Sequence, residues 1–303
     1  CTKPYVRKEW RRLKSREKTK YIQAVQCLLS SPGTALAVQN RFDDFIATHQ
    51  ARTETVQFYE KALWDCGWPR NRGQPCWDWT LDTATEAAFL ASPVFNKVRG
   101  FDGNDAYIPG NLTHPQLPGL IGGPPSNLPD HSDGSCLTTG PFAGFSTFLG
   151  PTIPHYVRRD LSYASLRDFS SAAQVAAAMT LPTFGRFELI TDTQTFQPGG
   201  HWAVGGLYGT MTDTYCSAAD PIFYLHHANM DRAWWSWQTR DLATREAEIS
   251  GPLVFFDYEN LLGGNATLST EVWVGLADSV EFEAGELLHI RKGPFCYRFD
   301  ELY

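Results

Sequence analysis

The sequence predicts a mainly helical single domain with long loops and a few short strands. Three observations predict it. Apolar residues recur at helical spacing in several segments, Gly and Pro cluster between those segments, and no internal repeat or low-complexity linker divides the 303 residues. With 43% apolar and 14% aromatic side chains, including 10 Trp and 19 Phe, the chain has the means to build a core. Disordered and collagen-like chains have no such means. At this length roughly 75% of the unfolded surface is buried on folding, so residues 1–303 are read as one domain.

The elements follow in order. Residues 8 to 29 predict a helix carrying Trp10, Leu13, Tyr21 and Val25, stopped by Ser-Ser-Pro-Gly. A second is expected from 37 to 50. Its Phe42, Phe45, Ile46 and His49 fall at i, i+3, i+4 and i+7, which puts His49 on the buried face. A third covers 54 to 65 and ends at Gly67. Residues 98 to 155 are rich in Gly and Pro and read as loops. Short helices are expected at 163–169 and 171–180. The clearest helix start is Ala219-Asp220-Pro221, where Asp220 can cap and Pro221 lacks an N–H that would go unpaired anyway. That helix carries Phe223, His227, Asp231 and Trp234 on one face. Residues 252–258, 271–275 and 280–290 read as short strands.

A net charge of −7, from 26 basic and 33 acidic residues, argues against nucleic-acid binding. The nine Lys and Arg within residues 1–20 read as solvated helical turns. There is no run of 18 apolar residues to span a membrane and no signal pattern at the N-terminus. Seven widely spaced cysteines without a CxxC pair point to at least two long-range disulfides with one thiol left over. The sequons at Asn111 and Asn265 sit among Gly and Pro. Together these predict passage through the secretory pathway to a secreted or vacuolar destination.

Among eight histidines, three stand in distinctive contexts. His49 lies on an apolar helix face. His201 follows Pro198-Gly199-Gly200, where backbone can approach closely. His227 lies within Asp220-Pro221-Ile222-Phe223-Tyr224-Leu225-His226-His227-Ala228-Asn229-Met230-Asp231-Arg232. His226 is expected to point away from its neighbour, since adjacent helix residues diverge by about 100°. His114, His131, His155 and His289 sit in polar or loop contexts and read as non-ligands.

That long segment resembles the second copper-binding motif of tyrosinases, catechol oxidases and hemocyanins. Other segments resemble the same family: Arg41-Phe42-Asp43-Asp44-Phe45-Ile46-Ala47-Thr48-His49, Gln74-Pro75-Cys76-Trp77-Asp78-Trp79-Thr80, Thr138-Thr139-Gly140-Pro141-Phe142, and Tyr297-Arg298-Phe299 with Arg7 packed on it. The resemblance covers nearly the whole chain and implies a central helix bundle around a metal site. It also implies departures from the family's two coppers and six histidines. His49 fits the first ligand, but Gln57 stands where the second belongs, and the stretch carrying the third is missing. Gln197 replaces another ligand ahead of His201, and Thr55 stands where some members have a cross-linked Cys. His49, His201 and His227 are then the metal ligands. Amides bind copper poorly beside imidazole, whereas three imidazoles with an open position are the ligand count of a catalytic zinc site.

Glu188, nine residues before Gln197, stands where the family places a water-holding carboxylate and is the candidate catalytic base. Asp231 is expected to orient a neighbouring side chain. Trp202, Phe223, Gln197 and Gln57 are the expected substrate-pocket residues. The pattern of ligand losses resembles fungal cyclopenases, hemocyanin-like proteins that carry zinc. They convert cyclopenin-type benzodiazepinediones into viridicatin-type quinolones with loss of methyl isocyanate. The function expected is therefore a non-oxidative, zinc-dependent rearrangement of a small aromatic substrate. Two other readings stand beside it: a copper phenol oxidase, and a scaffold that has lost its metal chemistry. As the chain stops four residues after Phe299, an open cleft without a plugging domain is expected.

Overall fold

Helices carry the architecture, as expected. The structure, a computed structural model, describes residues 1–35, 38–51, 56–103, 135–148, 154–207, 209–254, 257, 259–273 and 281–303. In chain order the helices are α1 (Ser15–Ser30), α2 (Arg41–Ala51), α3 (Val56–Asp65), α4 (Glu86–Leu90), α5 (Tyr163–Phe169), α6 (Ala172–Ala178), α7 (Phe184–Gln194), α8 (Phe196–Gly205), α9 (Ile222–Gln238) and α10 (Leu242–Arg245). Among the described residues, eight strands of two or three residues pair off into four two-stranded ribbons. Two of these ribbons matter for the site. One is the parallel pair β1 (Tyr5–Arg7) and β8 (Tyr297–Phe299), and the other the antiparallel pair β6 (Glu271–Trp273) and β7 (Glu281–Glu283).

Local chemistry places the helix ends. Asp220 caps α9, its carboxylate accepting the Ile222 N–H at 2.9 Å. Arg159 then holds that carboxylate from the far side through two bonds of 2.8 Å, both residues being fully buried. Ser162 and Ser171 cap α5 and α6, and α3 gives way to Gly67 at φ +90°. The helix expected from residue 8 is two elements. Glu9 accepts the Arg11 N–H and starts a single 3-10 turn over Trp10–Arg12, and α1 begins only at Ser15. Four helices, α4, α7, α8 and α10, were not anticipated. In 252–258 the described residues show only an isolated bridge from Pro252 to Asn265.

The core is a continuous aromatic cluster in which α9 is central. Ile222, Phe223, Tyr224 and Leu225 are all buried. Tyr224 stacks on Tyr59 of α3 with centroids 3.6 Å apart. Beside it lies a buried charged hub. Arg7 donates to Glu60 at 3.0 and 2.9 Å and to Asp231, and its guanidinium lies 3.7 Å over the Tyr297 ring. The sequence expectations for Arg7 and Asp231 are therefore both met. Asp231 accepts from Arg7 and from the Tyr297 hydroxyl.

Disulfides join Cys1 to Cys296 and Cys27 to Cys66. The first links the chain ends next to the β1–β8 pair, and the second links α1 to α3. Cys76, Cys136 and Cys216 remain free, so three thiols are left over where one was expected. Cys76 is buried, and burial pushes its thiol far above the usual range. Titration of the unfolded, unreduced protein should find three thiols per chain, rising to seven after reduction. A count of one or of seven before reduction would contradict this pairing.

Candidate metal centre and cavity

The centre is built where α8 meets α9. Pro198-Gly199-Gly200 lies in the first turns of α8, and the glycines set the approach distance. A methyl group on Gly200 would sit 2.3 Å from the His226 ring, and one on Gly199 would meet Phe169 and Ser170 at 2.6 and 2.5 Å. With no side chains there, α8 settles onto α9 and delivers His201 to His227. Their Nε2 atoms are 3.2 Å apart.

Hydrogen bonds assign the protons. His201 Nδ1–H donates to the Met211 carbonyl at 2.7 Å, which leaves its Nε2 as a bare lone pair aimed at His227. Desolvation lowers the His201 pKa to about 4. Desolvation also holds His227 and His226 well below the usual imidazole range, with neighbouring imidazoles adding to the effect. All three rings are therefore neutral at physiological pH, the form that ligates metals.

His226 is closer than its helix position suggested. Its ring centroid lies 4.7 Å from His201 and 5.0 Å from His227. The reason is that His201, entering over Gly200, sits between two successive residues of α9. The three imidazoles form a group whose ligand atoms lie within 4.8 Å of one another. Trp79 nevertheless gives His226 a structural task. Its indole N–H, which can only donate, donates to His226 Nδ1 at 3.0 Å. The proton of neutral His226 therefore sits on Nε2.

His49 lies outside that group. Its Nε2–H donates to the Thr214 carbonyl at 3.1 Å, and its Nδ1 lone pair is buried without a partner. Phe223 stands between it and the pair, with ring centroids 4.9 Å from His49 and 4.1 Å from His227. Gln57 falls in the first turn of α3, and its side chain lies outside the described residues, as do His114, His131 and Asn111. Gln197 is half-buried in the first turn of α8. Trp202 packs edge-on against Phe169, with centroids 5.0 Å apart, and does not line the cavity described next.

A cavity of about 450 Å³ opens beside His227. The α9 face read from the sequence, Phe223, His227, Asp231 and Trp234, forms one wall in full. The facing wall comes from α7 through Phe184, Phe187, Glu188, Thr191 and Asp192. The β6–β7 hairpin and the turn after it add Val272, Phe282, Ala284, Leu287 and Leu288. Glu188 therefore lies on the cavity wall, and desolvation raises its pKa. The sequence reading named Glu188 and the strands within 271–275 and 280–290, but not helix α7 or the part these strands play in the cavity wall. The signal for α7 was the spacing of Phe184, Phe187, Glu188 and Thr191 at i, i+3, i+4 and i+7.

A profile of the common central domain of tyrosinase matches residues 39–240. The chain is 31% identical to tyrosinase ustQ of Aspergillus flavus, over 99% of this chain and 80% of that protein. It is 29% identical to the N-acetyl-6-hydroxytryptophan oxidase ivoB of Emericella nidulans, over 97% and 92%. The alignment with that oxidase is longer than this chain, so the relative carries residues that this chain lacks. Among solved structures, polyphenol oxidase from Thermothelomyces thermophila superposes with a TM-score of 0.80 at 26% identity, covering 98% of this chain and 89% of that one. Hemocyanin from Rapana thomasiana shares the fold, with a TM-score of 0.59 at 18% identity. The chain belongs to the tyrosinase family, a metal-binding family whose metal is classically copper.

Among the described residues, the His201–His227 pair has the spacing of two ligands to one ion. Two nitrogens bound to one tetrahedral ion at roughly 2.0–2.1 Å lie about 3.3 Å apart, close to the His201–His227 separation of 3.2 Å. The buried, partnerless Nδ1 of His49 is a further acceptor that a cation or its water would satisfy. Among the described residues, four imidazoles at most surround the centre, and Trp79 engages one of them. Gly200→Ala should drive a methyl group into His226 and cost about 1–3 kcal/mol by overpacking, measured by denaturant unfolding. Unchanged stability would show that α8 does not depend on this approach.

Proposed function

We propose that this chain is an enzyme of fungal secondary metabolism that rearranges a small aromatic substrate without oxygen chemistry, using a single zinc ion. The reaction proposed is of the cyclopenase type, converting a cyclopenin-type benzodiazepinedione into a viridicatin-type quinolone. The observation that carries this reading is the donor set: one pair of imidazoles at ligand spacing, beside an aromatic cavity that holds an unpaired carboxylate.

His201 and His227 would hold the ion. Bound there, zinc supplies Lewis-acid polarisation of a substrate oxygen and no redox chemistry. The other roles belong to the chain. Phe184, Phe187 and Phe223 offer aryl faces that hold the substrate rings and exclude water. Glu188 accepts the proton released as the quinolone ring becomes aromatic, and its desolvated setting makes it a stronger base than a surface carboxylate. Arg7 and Tyr297 fix Asp231 on the opposite wall. The two disulfides and the exposed Asn265 sequon support folding in an oxidising, glycosylating compartment.

Conversion of cyclopenin under nitrogen should match that in air. His227→Ala should lose bound metal and activity together. Glu188→Gln should keep the metal and slow turnover by about 10²–10⁴-fold. Copper phenol oxidation, the activity that a relative's oxidase name suggests, makes the opposite prediction: oxygen uptake with a phenol or catechol. A strict oxygen requirement, or full conversion by His227→Ala, would overturn the proposal.

A further inference from the structure

The α9 wall of the cavity is long compared with one aromatic ring. Its lining residues run from Phe223 through His227, Met230 and Asp231 to Trp234. All five stand on one helix, so their spacing is fixed. At about 1.5 Å per residue, His227 and Trp234 lie roughly 10 Å apart along the helix axis, two turns on the same face. The ion proposed between His201 and His227 belongs to one end of this wall, and Trp234 marks the other. Phe184 meets Trp234 from the start of α7. Their rings are 5.5 Å apart at an interplanar angle of 48°. Both residues line the cavity and are only partly buried, so apolar ring surface is left facing it. The Phe184 N–H donates to the Glu248 carboxylate at 2.9 Å, which anchors this end of α7. Between the two ends lies Met230, whose flexible thioether can adapt to what lies over it.

An aryl group resting against this tilted pair would cover surface that is otherwise hydrated. It would also make the offset and edge contacts that aromatic rings prefer. We infer that Trp234 and Phe184 form a second aryl subsite, two helical turns from His227. The cavity then selects ligands long enough to place one ring there while another part of the molecule reaches His227. Trp234 is the residue that sets this length. The inference deepens the proposed function by assigning the far end of the substrate, and it rests on that reading for the choice of this cavity as the substrate site.

The test uses two isomeric, uncharged alcohols. In 4-biphenylmethanol the rings are in line, and in diphenylmethanol they share one carbon. With the hydroxyl at the His227 end, only the first can carry a ring to Trp234. Both bring one hydroxyl and the same number of carbons, so neither the charge of a bound ion nor the amount of apolar surface separates them. Benzyl alcohol is the one-ring reference. Binding to the purified full chain is followed by calorimetry. The in-line isomer should bind at least about tenfold more tightly than the compact one, as the burial and ring contacts of one aryl group allow. Trp234→Ala should bring the isomers within about threefold of each other and leave benzyl alcohol within about twofold of its wild-type affinity. Equal or reversed affinities of the isomers in the wild-type chain would overturn the inference. So would a tenfold preference that persists in Trp234→Ala, or a loss for benzyl alcohol as large as that for the in-line isomer. If Trp234→Ala does not fold by circular dichroism, Phe184→Ala is read in the same way, and should that also fail to fold, the wild-type ratio decides. None of the alcohols can undergo the proposed rearrangement. Failure here therefore leaves the Lewis-acid reading standing, and failure of that reading leaves the measured preference intact.

Discussion

The close approach of α8 to α9 is the constraint on which the site depends. It is possible because Gly199 and Gly200 present no Cβ atoms to Phe169, Ser170 and the His226 ring. From it follows the 3.2 Å separation of the His201 and His227 nitrogens. His226 fills the space beneath, its orientation set by the Trp79 indole N–H. The Met211 carbonyl then fixes the His201 tautomer from the other side. Each link is a short, directional contact inside an apolar core, and burial keeps the imidazoles neutral. The same burial that would make a charged histidine costly prepares a neutral one to donate its lone pair.

The Arg7 hub supports the opposite end of the cavity. Arg7 comes from the first strand, Glu60 from α3, Asp231 from α9 and Tyr297 from the last strand. One buried guanidinium therefore ties together four distant stretches of chain. Removing one partner of such a buried pair typically costs about 3–5 kcal/mol, because the remaining charge is left uncompensated. The Cys1–Cys296 bond closes the same strand pair covalently. Cavity-lining Arg7, Phe295 and Tyr297 are thus held by the ends of the chain, and the substrate site depends on contacts remote in sequence.

Much of this was legible in the sequence, where local chemistry decides the outcome. The Asp220 cap and the one-faced spacing of Phe223, His227, Asp231 and Trp234 foretold both the start of α9 and its cavity wall. The glycines before His201 announced a close backbone approach. What was not legible depended on tertiary context. The Gly and Pro content of 198–206 disguised α8, whose helical state is secured by packing between α5, α7 and α9 rather than by propensity. Angular divergence along α9 suggested that His226 would be remote, but a residue arriving from another helix lies between it and His227. Trp202 follows a candidate ligand in sequence, yet its ring turns to Phe169. His49 has the expected helix face, but Phe223 separates it from the imidazole pair.

The proposal turns on a single ion held by His201 and His227. Elemental analysis of the purified protein, read together with anomalous scattering at the zinc and copper edges, tests it most directly. The account predicts one zinc per chain, located between the two imidazole nitrogens. Two coppers per chain, with the absorption of an oxygen-bridged pair, would contradict it.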